Sequence, residues 1–144
     1  MTDAEIDKLE SEVLEVTYAE QVHGYVYRPS KTSRKQWWLR GHPAANELPH
    51  FLSWDNVLAE IRMLTNLTQS WPFLTPYGGE RLVVLVTFDE RRYWVEISLH
   101  DDTGNANSKI KSWLSNGVFL GDAFLRSMLK AAQWFRSERD WKPK

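Results

Sequence analysis

The segment KTSRKQWWLRGHP, Lys31 to Pro43, sets Lys31, Arg34, Lys35 and Arg40 around two adjacent tryptophans, with Arg28 just ahead of it. Indole among cations can do three things. It can stack a nucleobase while the cations hold phosphates. It can anchor in an acidic protein surface toward which the cations steer it. It can also lie under arginine stems as plain packing. In a strand, neighbouring side chains point to opposite faces, so Lys35, Trp37 and Leu39 share one face and Gln36, Trp38 and Arg40 the other. One tryptophan is expected inward and one outward. The candidate binding residues are therefore Arg28, Arg34, Lys35, Trp37, Trp38 and Arg40.

Other chemistry is harder to assemble. His42 and His50 have seven residues between them, which matches no common zinc signature, while His23 falls in a stretch read as a strand and His100 at the start of a loop. The oxygen-rich run from Asp101 to Asn107 fails the calcium-loop pattern, since Ala106 and Ser112 stand where glycine and glutamate are needed. Neither G-x-G-x-x-G, G-x-x-x-x-G-K, G-x-S-x-G nor H-E-x-x-H occurs. The chain contains no cysteine, which removes thiolate metal sites, disulfides and a cysteine nucleophile. No metal or organic cofactor is expected. Asp140-Trp141-Lys142 has an acidic–basic nuclease spacing but stands at a C-terminus expected to fray. Glu96 lies between Trp94 and Ser98 on the less apolar face of a strand. Helices covering that face would raise its pKa toward a catalytic value, and an open face would leave it an ordinary solvated carboxylate.

Composition restricts the class further. At 144 residues, 42% hydrophobic and 26% charged, the chain reads as a single globular domain spanning 1–144. Eight tryptophans are well above ordinary usage and suit cores and binding surfaces alike. Net charge is only −1, but it is segregated: −6 over residues 1–20, +5 over 21–45, −4 over 46–90 and +4 over 91–144. That balance opposes broad nucleic-acid affinity while leaving a local basic patch. The start, MTDAEIDKLESEVLEV, is acidic and amphipathic, unlike a signal peptide, so a cytoplasmic location is expected. The longest apolar run, Leu82 to Val86, is too short to span a bilayer, and no membrane partner is expected.

The elements that must position these residues follow from periodicity. Thr2 and Glu5 have capping-box spacing, and Ile6, Leu9, Val13 and Val16 predict an amphipathic helix over 3–16. QVHGYVYR and KQWWLR predict a hairpin over about 22–40. Ser53 is a plausible N-cap for a helix over 54–68. The aromatic stretch 70–79, with two prolines and two glycines, predicts an ordered loop or a binding loop. RLVVLVTF and RYWVEISL predict a hairpin of residues 81–88 and 92–99. A short helix is expected around Lys109–Leu114, and a final helix over 118–138 with Arg126, Lys130, Gln133 and Ser137 on a polar face. The order αββαββα predicts an α+β fold with an antiparallel sheet of about four strands and helices packed on it.

Three functional readings result. The first is a small non-catalytic protein that acts stoichiometrically on a macromolecule, of the inhibitor, immunity-protein or mobile-element accessory type, with an acidic protein surface as its partner. The second is a nucleic-acid-binding protein using the patch at 28–40, joined by Arg126 and Lys130. The third is an enzyme with dispersed active-site residues. The acidic helix over 3–16 adds a further possibility, since it could cover the basic patch or pair with it in a homodimer.

Overall fold

A computed structural model of the chain describes residues 1–29, 31, 32, 34–66, 72–74, 79–101 and 108–143. The acidic N-terminal stretch forms two helices where one was expected. In α1, Asp3–Asp7, the Thr2 hydroxyl accepts from the Glu5 amide at 3.2 Å and the Glu5 carboxylate accepts from the Thr2 amide at 3.3 Å, which completes the capping box. α2, Ser11–Tyr18, loosens into a π turn, Ala19–His23, that Gly24 closes at φ 81°. Leu14, Tyr18 and Val22 are all buried. Their four-residue spacing carries the helical face on into residues 22 and 23, which were expected in a strand.

Beyond the π turn the chain forms a small antiparallel sheet of three strands: β1 (Val26–Tyr27), β2 (Trp37–Leu39) and β3 (His42–Ala45), in that order. The expected hairpin over 22–40 is thus shorter and gains a strand from residues read as a loop. Arg40 and Gly41 take positive φ, 53° and 80°, and form the two-residue turn between β2 and β3. Pro43 is tolerated because β3 is an edge. α3, Trp54–Leu64, begins at Ser53, whose hydroxyl accepts from the Asn56 amide. It ends before residue 68, and residues 67 and 68 lie outside the described residues.

The second sheet is a meander. β4 (Glu80–Asp89) and β5 (Arg92–Asp101) pair over their full length across a turn of Glu90 and Arg91, the expected hairpin, but β4, whose two apolar faces suggested a central strand, lies at the edge. β6, Ser108–Gly117, pairs with β5 where a short helix over 109–114 was expected. The reason lies in its inner face, where Trp113 is the one large apolar residue and Ser115 and Gly117 are small. A Cβ on Gly117 would stand 2.9 Å from the Asp122 Cβ, so the helix lying there requires small residues and the alternation is muted. That helix is α4, Leu120–Arg139.

α4 packs on β5 and β6 and is also contacted by α1, α2, the π turn and α3. It is therefore buried nearly all round, and Gly121 permits one close approach: a Cβ there would meet the Leu52 carbonyl oxygen at 2.4 Å. Arg126 and Lys130, expected on a solvated face, turn inward. Arg126 donates to the carbonyls of Leu9 and Asn116, and Lys130 to the Leu114 carbonyl and to Asp7. The C-terminus does not fray as expected. Trp141 donates to the Pro72 carbonyl at 3.0 Å and meets the Phe73 ring edge-on, while Phe73 stacks on Phe135.

The α+β class holds, but among the described residues six strands in two three-stranded sheets replace about four strands in the order αββαββα. One hydrophobic core joins α1–α4, β4–β6 and the segment around Phe51 and Phe73, and β1–β3 place no residue in it. Among the described residues, no helix is long and apolar enough to cross a membrane.

Candidate functional site

The basic and aromatic residues singled out by sequence sit on or beside the β1–β3 sheet, and the sheet sorts them. Tyr27 pairs directly with Trp37, and their rings meet at 5.1 Å between centroids. Val26 pairs with Trp38 on the opposite face, where the Arg28 guanidinium lies 5.4 Å over the Trp38 ring. The two tryptophans do point to different faces, though both are half-buried. Trp38 is the packed member: its indole N–H is buried without an acceptor among the described residues, and Arg28 covers its ring. Trp37 and Tyr27 form the other surface, with Tyr27 50% exposed and its hydroxyl donating to Gln36 at 3.0 Å.

The cations are distributed unevenly. Arg28, Lys31, Arg34 and Lys35 are exposed along the end of β1 and the approach to β2. Arg40 occupies the first position of the β2–β3 turn at φ 53°, so it belongs to neither strand face. Arg126 and Lys130 do not join the patch, because both end on backbone carbonyls inside the fold. The acidic helices α1 and α2 pack on α4.

Glu96 stands on the face of the second sheet opposite α4, beside Ser98 and across from Leu114. Lys109 donates to its carboxylate at 2.8 Å, and the Ser98 hydroxyl donates to the same oxygen at 2.9 Å. The hydrogen bond from Lys109, then that from Ser98, hold its pKa below the ordinary carboxylate value against a smaller effect of burial. A carboxylate kept ionised in this way is the reverse of the raised general acid or base that a covered face would have produced.

A polar cluster that spacing could not reveal lies inside the core. His23 Nε2 is 2.6 Å from the Glu60 carboxylate, and the Phe51 ring lies against both His23 and Tyr18. Tyr18 is wholly buried, and its hydroxyl and Glu60 Oε2 adjoin without closing a well-formed hydrogen bond. Burial raises the Tyr18 pKa well above its ordinary value, and the Glu60 charge adds to the effect. Thirty-seven residues separate His23 from Glu60, so only the fold brings them together. His50 pairs with Glu15 at 3.0 Å, and His42 lies exposed on β3. Among the described residues, no three His, Cys, Asp or Glu side chains converge as metal ligands would.

Most of the aromatic loop over 70–79 and all of 102–107 lie outside the described residues; Phe73, which is described, faces the core. No protein-family model, curated protein or solved structure matches this chain.

Proposed function

We propose that this chain works stoichiometrically, by binding a protein with an acidic surface through the Tyr27–Trp37 side of the β1–β3 sheet. One observation carries the reading. The sheet lends no residue to the core, yet it keeps two aromatic rings in contact beside exposed Arg34 and Lys35, with Arg28 covering Trp38 on the other face. Three strands of two to four residues recover little of the backbone entropy that ordering costs. A partner lying on the rings would supply the burial that the core does not. Large, stiff aromatics are the side chains that anchor such contacts, and no acidic residue occurs between 21 and 45 to repel an acidic surface.

The two kinds of residue divide the work. Trp37 and Tyr27 supply desolvated contact area and govern dissociation, whereas Arg34 and Lys35 raise the rate of encounter. Affinity capture with the intact chain, followed by binding kinetics on the captured partner, tests this. Arg34→Glu with Lys35→Glu should slow association, most strongly at low salt, and Trp37→Ala should cost about 2 kcal/mol, chiefly in dissociation. A partner bound by all variants with unchanged kinetics would place the interface elsewhere. Turnover of a substrate at sub-stoichiometric protein would defeat the non-catalytic reading.

A second reading uses the same rings. Tyr27 and Trp37 beside cations could stack the bases of a single strand, and anisotropy with labelled oligonucleotides would then show affinity falling steeply with salt. No change at low salt and micromolar protein removes it.

A further inference from the structure

β4 is an edge strand without the features that usually guard one. It pairs with β5 over ten residues without a bulge and has no open-edge partner among the described residues. Its interior, Leu82 to Phe88, contains no charge and no proline. Edges are ordinarily blunted by such devices, because a row of unpaired N–H and C=O groups recruits another strand. Both faces of its second half are also bare. Leu85 is 56% exposed on the face away from α4, and Val86 and Phe88 are 41% and 63% exposed on the face toward it.

Which backbone groups point outward is set by the turn. Glu90 and Arg91, at φ 53° and 61°, make a two-residue loop of the I′ type, in which the flanking pair Asp89 and Arg92 exchange hydrogen bonds. Alternating from there, the odd-numbered residues of β4 bond to β5. The amides and carbonyls of Leu82, Val84, Val86 and Phe88 face the open edge.

We infer that β4 is a self-pairing edge: a second copy of this chain adds antiparallel to it about a two-fold axis at Leu85, joining two meanders into one six-stranded sheet. In that register Leu82 opposes Phe88 of the second copy and Val84 opposes Val86 of the second copy, and these are the residues whose backbone groups are available to bond. Leu85 meets Leu85 of the second copy at the axis, and Val83 meets Thr87 of the second copy. At the outermost position Glu80, already held by Arg139, faces Glu90 in the turn of the second copy, and next to it Arg81 opposes Asp89 of the second copy with a charge of opposite sign. Shifting the register by two residues in either direction loses this pairing: one shift sets Arg81 against Thr87, the other sets Arg81 against Arg91. The occupant is thus specified by the strand's own sequence, with hydrophobic pairs at the centre and an Arg81–Asp89 pair on either side of them.

The absence of cysteine from the chain makes the test direct. Leu85→Cys introduces a single thiol at the axis, in a non-hydrogen-bonded pair whose Cα atoms lie about 4.5 Å apart, within the span of a disulfide. Thr87→Cys places its thiols four positions apart along the strands, about 13 Å, which no disulfide bridges. Under mild oxidation Leu85→Cys should form a covalent dimer at least tenfold faster than Thr87→Cys, and the parent chain should sediment as a dimer at micromolar concentration. Val86→Pro removes an amide that faces only the open edge, so it should yield a folded monomer by circular dichroism and sedimentation. Arg81→Asp alone should weaken the dimer, and adding Asp89→Arg should restore it. A parent chain that stays monomeric throughout the micromolar range overturns the inference, including the case in which another protein occupies the edge. So does a dimer that survives Val86→Pro, or one in which Thr87→Cys crosslinks as readily as Leu85→Cys.

Discussion

Tyr18 illustrates how far single residues could be read from their neighbours in sequence. The stripe expected through Val13 and Val16 is exposed and the buried face runs through Leu14 and Tyr18 instead, and nothing nearby announces that Glu60 lies beside the Tyr18 hydroxyl or that His23 shares the same carboxylate. The opposite error occurs at Arg126 and Lys130. A charge on a helix reads as solvated, and only the fold shows backbone carbonyls close enough to receive it. The opposite faces of the tryptophan pair were legible because any extended strand alternates its side chains, whereas the ring covered by Arg28 could not be foreseen. The Tyr18 environment has a consequence for pH dependence. Its folded pKa is raised, so the unfolded state releases the phenolic proton first, and the associated stability is complete below about pH 10 and lost as pH rises beyond it. Chemical denaturation at pH 9 to 11 should therefore show a steeper loss for the parent chain than for Tyr18→Phe. Parallel slopes would mean that Glu60 and burial do not act on the phenol as described.

At the scale of elements, legibility tracked how much each element relies on its own sequence. β4 is a continuous β-branched apolar run, read as a central strand although it lies at the sheet edge, and β5 alternates; a polar turn separates them, so both were found with nearly correct ends. β6 was missed because α4 presses on small residues at Ser115 and Gly117, erasing the pattern that marks a strand. β3 was missed because it contains His42, Pro43 and two alanines, residues that suit a strand only at an edge. The turn joining β4 and β5 is well placed but poorly composed. Both Glu90 and Arg91 adopt left-handed conformations, where a side chain with a Cβ costs about 1 kcal/mol or more and asparagine or glycine much less. Replacing Glu90→Asn together with Arg91→Gly should raise the unfolding free energy by about 1 kcal/mol in urea titrations without changing the denaturant slope. A loss of stability would show that Glu90 or Arg91 makes compensating contacts.

For the whole molecule, the decisive feature is the uneven distribution of burial. α4 is held between the β4–β6 meander and the helices that contact it, and the core gathers around Phe124, Leu125, Met128, Val95 and Ile97, all of them fully buried. The β1–β3 sheet contributes nothing to this, and Val26, Tyr27 and the cations around Trp37 remain open to water. Backbone groups are protected from exchange by the free energy of the smallest opening that exposes them, so cooperative stability belongs to α4 and β5, and the small sheet can open by itself. Native-state hydrogen exchange should find the slowest amides in Phe124 to Ala132 and in Val95 to Leu99. Amides in β1 and β2 should exchange orders of magnitude faster, through openings whose rates respond little to low denaturant, since little surface is uncovered. Added partner should slow exchange in β1 and β2 first if the proposed binding surface is right. Equal protection of the two sheets in the free protein, with the same denaturant dependence, would mean that the small sheet unfolds only with the core. Ordering would then need no partner, and the main physical support for binding through Tyr27 and Trp37 would be lost.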